Sequence, residues 1–162
     1  MKKLGFQVLL WLSTLGASAQ DPAFARTKFV IGLSAPELLH VGVGIDATKY
    51  NQLGLGAGVG PSWGTLWPSL SAEHRLYFGK TQELTNRKQW FFRQGATYFP
   101  AGDEGAGTLS IGIDFKSKRS NSGWTIDAGM FWFYPQDQDR YYNSFPALRF
   151  QHYSYFRKGA GG

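Results

Sequence analysis

The sequence predicts an all-β protein, an eight-stranded antiparallel up-and-down barrel that follows a cleaved leader. Three observations support this prediction: a leader-like start, eight later segments in which apolar and polar residues alternate, and no later segment with apolar residues at helical spacing. The 162 residues suffice for one domain, and the lack of cysteine excludes a disulfide scaffold and a thiolate metal site.

The first 19 residues have the features of a secretory signal peptide. Residues 1–3 are positively charged, 5–15 are mainly apolar, and 17–19 are Ala-Ser-Ala, a small-x-small exit. The apolar run is shorter than the roughly 20 residues that a transmembrane helix requires. We therefore expect cleavage before Gln20, export from a bacterial cytoplasm, and a short N-terminal segment at 20–27.

The first four predicted strands carry small or polar residues at every second position. They are KFVIGLS at 28–34, HVGVGID at 40–46, LGLGAGV at 53–59 and SLSAEHRLYF at 69–78. Residues that favour turns separate them, and the prolines fall at predicted strand ends, where a missing N–H costs no ladder hydrogen bond.

The last four predicted strands are richer in aromatic residues. They are WFFRQGATYF at 90–99, TLSIGIDFK at 108–116, WTIDAGMFWF at 124–133 and ALRFQHYSYF at 147–156. The barrel is therefore placed at 28–157 and a flexible tail at 158–162.

One half of every predicted strand is apolar, and the other half holds all the strand charges. Successive side chains point to opposite faces of a sheet, and the glycine-rich polar half suits the narrow lumen of an eight-stranded barrel. Buried charges need partners. We expect a lumen salt-bridge network that leaves no open pore, formed by Glu73, Arg75, Arg93, Asp114, Lys116, Asp127 and Arg149.

The apolar half indicates contact with lipid, and thus a transmembrane barrel. It contains no acidic or basic residue, whereas a charge at the bilayer midplane would cost about 2–4 kcal/mol. Aromatic residues near strand ends are typical of membrane interfaces. The predicted membrane-interface aromatics are Phe78, Trp90, Tyr98, Trp124, Trp132, Tyr155 and Phe156. A soluble periplasmic lipocalin-like lipid carrier, with the apolar half inward, has the same alternation and stays open as an alternative.

These features resemble the small eight-stranded outer-membrane barrels of Gram-negative bacteria, of the protein A and protein X type. The resemblance rests on strand number, alternation, the leader and the aromatic last strand at 149–156. It implies an integral protein that contacts outer-membrane lipid and lipopolysaccharide and is recognised by the barrel-assembly machinery. A non-enzymatic role in envelope structure or surface interaction is our leading hypothesis.

A second hypothesis is a lipid-modifying hydrolase. His152 and Ser154 lie two apart on one strand face, within reach of a base–nucleophile pair, and the local sequence resembles part of the motif of lipid A deacylases. The acid of that motif has no counterpart after Ser154, so we expect no catalytic residues.

We also expect no metal, no cofactor and no nucleic acid partner. His40, His74 and His152 lie on three predicted strands without the short spacing of a metal site, and the net charge of +6 is scattered. A turn that pairs Phe78 with Trp90 would set His74 opposite Gln94.

Surface loops are expected at 35–39, 60–68, 100–107 and 135–146 if both termini face the periplasm. Loops carry much of the recognition in proteins. The candidates for recognising an unidentified surface ligand are Tyr141, Tyr142, Trp63 and Trp67.

Overall fold

The computed structural model describes residues 26–62, 65–78, 88–117, 120–134 and 144–156. The predicted signal peptide at 1–19, most of the segment at 20–27 and the tail at 158–162 lie outside the described residues. No helix in the described part is long and apolar enough to cross a membrane.

Eight strands form a closed antiparallel barrel. They are β1 (Arg26–Ser34), β2 (Leu39–Asp46), β3 (Asn51–Ser62), β4 (Thr65–Phe78), β5 (Lys88–Phe99), β6 (Glu104–Lys116), β7 (Ser122–Tyr134) and β8 (Ser144–Tyr155). Each strand pairs with the next, and β8 pairs with β1, so the predicted up-and-down barrel is confirmed. The end that holds the start of β1 and the end of β8 is called the terminal end below, and the opposite end is the loop end.

The strands are longer than the alternation alone predicts. β1 begins at Arg26, inside the predicted N-terminal segment, and β8 begins at Ser144. Because β3 and β4 reach Ser62 and Thr65, most of the predicted loop at 60–68 is strand. Backbone pairing continues at these ends beyond the stretch in which side chains alternate.

Three prolines lie inside observed strands, whereas the sequence placed all prolines at strand ends. Pro61 in β3, Pro68 in β4 and Pro146 in β8 each pair with a neighbouring strand on one side. On the other side the β2–β3, β4–β5 and β1–β8 ladders stop before they reach these positions. Each proline can turn its missing N–H toward the unpaired side, where no ladder hydrogen bond is lost.

The two faces of the barrel wall have opposite chemistry. Inward side chains are mostly polar or charged and buried, whereas outward side chains are mostly large and apolar. In the isolated chain, Leu55 is 66% exposed and Leu148 is 67% exposed. The apolar half therefore faces outward, which is the opposite of the arrangement that a lipocalin-like carrier requires.

Aromatic side chains fill the lumen toward the loop end. Phe99 on β5, Phe131 and Phe133 on β7, and Phe145 on β8 lie with neighbouring ring centroids 5.4 to 6.4 Å apart. Phe99 is only 1% exposed. An apolar layer thus lies between the polar middle of the lumen and the loop end.

Candidate functional site

The middle of the lumen holds a buried ion cluster centred on Glu73. This carboxylate accepts from Arg149 and lies 2.8 Å from Arg75 Nη2, so one acid on β4 joins bases on β4 and β8. Gln151 Oε1 accepts from Arg75. Since β4 and β8 are not neighbours in the wall, the cluster spans the lumen.

His40 extends this cluster on the β2 side. Arg149 donates to His40 Nε2 at 2.7 Å, and Gln151 donates to the same nitrogen at 2.5 Å. A guanidinium can only donate, so Nε2 is an acceptor and the neutral imidazole carries its proton on Nδ1. Nδ1 then donates to Ser34 Oγ at 3.3 Å, and Ser34 Oγ donates to the carbonyl oxygen of Glu37.

A second ion pair joins β5 and β7. Asp127 Oδ1 accepts from Arg93 Nε at 3.1 Å and from Arg93 Nη2 at 2.8 Å. Ser110 Oγ on β6 donates to the same oxygen at 2.6 Å. All three residues are buried, so this pair is shielded from water and held in one geometry.

Two members of the expected network have other partners. Asp114 accepts from the hydroxyls of Tyr153 at 2.7 Å and Tyr77 at 3.1 Å, and Lys116 Nζ donates to Gln89 at 3.3 Å. In the described part of the chain no ion pair includes Asp114 or Lys116. Alternation assigns a residue to a face, whereas the stagger of the strands around the barrel decides which inward residues meet.

A further ion pair, Lys28 with Asp46, lies at the terminal end of the lumen and was not among the residues of the expected network. Lys28 Nζ is 3.5 Å from Asp46 Oδ1 and 4.2 Å from the ring centre of Tyr153. Both charged residues lie on the polar half of their strands. The alternation could therefore have indicated that they share the lumen. They lie diagonally across the β1–β2 ladder, where Lys28 pairs with Gly44 and Asp46 pairs with Arg26.

Tyr155 corrects one of the membrane-interface predictions. Its hydroxyl donates to Asp46 Oδ2 at 2.6 Å, and its ring makes an edge contact with that of Tyr153. Because Tyr155 is two residues from Tyr153, it lies on the same inward side of β8. It belongs to the lumen rather than to the predicted girdle.

Glycines on the lumen side make room for these charged side chains. A Cβ atom on Gly54 would lie 2.8 Å from Glu73 Cγ, and one on Gly112 would lie 2.5 Å from Asp127 Cβ and 2.6 Å from Phe91 Cζ. Two small cavities border Glu73 and Arg149, each with room for roughly one water molecule.

The remaining predicted interface aromatics lie on the outward half. Phe78, Trp90, Tyr98, Trp124 and Phe156 are 41 to 59% exposed in the isolated chain. Trp132 is half-buried because its indole covers Gly107, where a Cβ would come within 2.7 Å. Trp124 stacks on Phe150 with ring centroids 4.8 Å apart.

A polar group interrupts the outward face between β3 and β5. Phe78 pairs with Trp90 and His74 with Gln94, as the predicted turn register requires. His74 Nε2 donates to Asn51 Oδ1 at 2.9 Å, and His74 Nδ1 accepts from Gln94 Nε2 at 3.0 Å. Both ring nitrogens of His74 therefore have a hydrogen-bond partner within this group.

The His152–Ser154 pair does not form a catalytic arrangement in the described structure. The His152 ring lies 4.5 Å from the Trp124 ring, and both residues are on the outward face. Within the described residues, His152 makes no hydrogen bond to Ser154 and donates none to a carboxylate.

The predicted recognition loops are described only in part. Trp67 lies in β4, paired with Gly60, rather than in a loop, and its indole packs against Gly102. Trp63, Tyr141 and Tyr142 lie outside the described residues. No group of three or more His, Cys, Asp or Glu residues that could hold a metal ion occurs in the described ranges.

The closed barrel can be matched to a known structure. No family model matches the chain, and no curated protein matches it significantly. The N-terminal β-barrel domain of Pseudomonas aeruginosa OprF, in its crystal structure, matches with a TM-score of 0.52 over 80% of this chain and 96% of that chain, at 9% identity. This chain has the OprF barrel fold.

At 9% identity the OprF likeness concerns the fold. It confirms the predicted fold, a closed eight-stranded antiparallel up-and-down barrel of the kind that the sequence resembles. The side chains of this OprF-like barrel, and not the likeness, carry the functional conclusions that follow.

Proposed function

We propose that this OprF-like barrel is an integral protein of the outer membrane of a Gram-negative bacterium. We assign it a non-enzymatic role in envelope structure or surface interaction, with a lumen closed by its own side chains. The observation that carries the proposal is the inverted distribution of side chains: arginines, carboxylates and glutamines are buried inside, whereas leucines, isoleucines and aromatic residues are exposed outside.

This inversion disfavours water as the surrounding solvent. Monomeric soluble proteins rarely expose apolar patches larger than a few hundred Å². Here the outward apolar side chains occupy all eight strands, among them Ile31, Val43, Leu55, Leu70, Phe92, Ile111, Ile126 and Leu148. A lipid bilayer solvates such a band, and the closed β1–β8 seam leaves no unpaired strand edge in it.

The lumen geometry supports a structural role for the charges. Each of Glu73 and Asp127 already has arginine partners, and Arg75 and Tyr153 are 1% exposed. A general base needs access to a substrate proton, which these enclosed groups lack. Their mutual pairing instead ties strands together across the barrel.

Cell fractionation with electrophoresis tests the membrane placement. We expect the protein in the outer-membrane fraction, with a mobility in detergent that shifts when the sample is boiled, because the closed barrel resists detergent until it is heated. A control chain that lacks β8 cannot close and should show one mobility in both samples. A detergent-free periplasmic band would contradict the proposal.

Mass spectrometry of lipid A tests the non-enzymatic role. We expect the acyl pattern of cells that overproduce the protein to match that of cells without it, because His152 and Ser154 share no hydrogen bond in the described structure. Ser154→Ala is the matched control and should give the same pattern. Loss of an acyl chain with the unsubstituted protein but not with Ser154→Ala would establish the hydrolase instead.

A further inference from the structure

Among the described residues, the two ends of the barrel carry opposite charge. At the terminal end, Arg26, Lys49 and Lys88 lie at least partly in solvent and form what is called the cationic rim below. At the loop end, the described charged residues are all acidic: Glu37, Asp103 and Glu104. The described acids of the terminal end, Asp46 and Asp114, lie on the lumen side and have partners there.

Each cation of the rim lies against an aromatic ring of the same end. The Arg26 guanidinium carbon is 4.1 Å from the ring centre of Tyr155, and Lys88 Nζ is 5.8 Å from that of Phe115. Lys49 Nζ is 5.0 Å from the ring centre of Tyr50. These contacts hold the cations at the barrel edge, because a cation within about 6 Å of a ring face is attracted to it.

The position of Lys88 on the barrel wall indicates its level relative to the membrane. Its side chain lies on the outward half of β5, two residues from Trp90, and it pairs with Phe115. In a bilayer an aromatic girdle and neighbouring lysines lie at the headgroup level, since both combine an apolar body with a polar tip. Lys88, the outward member of the rim, therefore lies at the level of the lipid headgroups.

We propose that the cationic rim binds anionic phospholipid headgroups in the leaflet at the terminal end. The inference rests on the proposed membrane placement. Charge complementarity selects the partner: a lipid phosphate without a compensating amine suits three cations that lie at least partly in solvent, and each Lys or Arg near a membrane surface strengthens such attraction roughly fivefold. The acidic loop end offers no such match in its described residues.

Quenching of tryptophan fluorescence by brominated lipid tests the inference. The full mature chain is refolded into phosphatidylcholine bilayers that contain either brominated phosphatidylglycerol or brominated phosphatidylcholine. We expect phosphatidylglycerol to bind about fivefold or more tightly than phosphatidylcholine, and 0.5 M salt to weaken that preference because salt screens exposed charges.

Neutralising the rim should remove the preference. Arg26→Gln with Lys49→Gln and Lys88→Gln should bring the ratio near one, whereas Asp103→Asn with Glu104→Gln at the loop end should leave it unchanged. Heat-shifted mobility checks that each variant is folded. If the triple variant does not refold, Lys49→Gln with Lys88→Gln, both at exposed positions, carries the test.

Two results overturn the inference alone: equal quenching by both lipids, or a preference that the rim variant retains. Co-sedimentation with purified peptidoglycan in the absence of a lipid preference would assign the rim to a different partner. Failure of the unsubstituted protein to enter either bilayer would overturn the membrane placement itself, so the two proposals fail in distinguishable ways.

Discussion

Single side chains in the lumen differ widely in how many partners they have. Asp127 Oδ1 receives three donated hydrogen bonds, whereas Lys116 Nζ makes one hydrogen bond at 3.3 Å to a neutral amide. A buried pair that loses one member leaves an uncompensated charge, which is far more costly than the loss of a weakly held lysine. Stability measurements can therefore rank the lumen residues.

Asp127→Asn should strongly destabilise the barrel. We expect its free energy of unfolding to fall by about 3–5 kcal/mol, because Arg93 stays buried without a counter-charge. Urea unfolding of the protein in lipid vesicles measures the change. Lys116→Gln is the matched control and should cost under about 1 kcal/mol, as for a partly exposed charge.

The double variant Arg93→Met with Asp127→Leu separates the attraction between the two charges from the cost of burying them away from water. It should recover most of the loss, since replacing a buried ion pair by apolar side chains is often close to neutral. A double variant as unstable as Asp127→Asn would instead mean that the pair itself contributes a large net stabilisation.

At the scale of strands, the outward residues should respond to substitution according to their depth. Ile111 lies near the middle of β6 and Leu66 near the loop end of β4, and both are more than half exposed in the isolated chain. Ile111→Arg should lower the free energy of unfolding in vesicles by about 2–4 kcal/mol, and Leu66→Arg by about 0–1 kcal/mol. Equal, near-zero effects of the two substitutions would indicate a water-exposed surface.

The sequence predicted the number and type of the strands, and which residues share a face, because a period of two follows directly from β geometry. The register in which Phe78 pairs with Trp90 and His74 with Gln94 followed from the turn pairing considered for β4 and β5, and the structure has that register. The alternation did not predict which residues are partners across the lumen. Glu73 and Arg149 are 76 positions apart, and only the closed barrel brings them together. The prediction for Tyr155 was wrong because it relied on the aromatic ring near a strand end. Its position in the alternation, two residues from Tyr153, places it on the lumen side.

The alternation also did not predict where the strands begin and end. Pro146 and Ser144 belong to β8, although proline and serine are typical of turns. At these two residues β8 pairs with β7 but not with β1. Residue propensity therefore did not locate the start of β8.

For the whole molecule, the filled lumen predicts a barrel that does not conduct. Buried ion pairs occupy its middle, and Phe99, Phe131, Phe133 and Phe145 occupy the loop end. We expect planar bilayers that contain the folded protein to show no discrete conductance steps. Insertion is checked by a blue shift of tryptophan emission, and stepwise currents after verified insertion would contradict a closed lumen.

The seam between β1 and β8 sets an order of events during biogenesis. β1 is made first, yet one of its two edges has no partner until β8, the last strand, has been made. An unpaired strand edge is a template for aggregation. Until β8 is made, the open edge of β1 therefore needs protection from something other than the barrel itself, and the pairing of β8 with β1 both completes the barrel and ends that vulnerability.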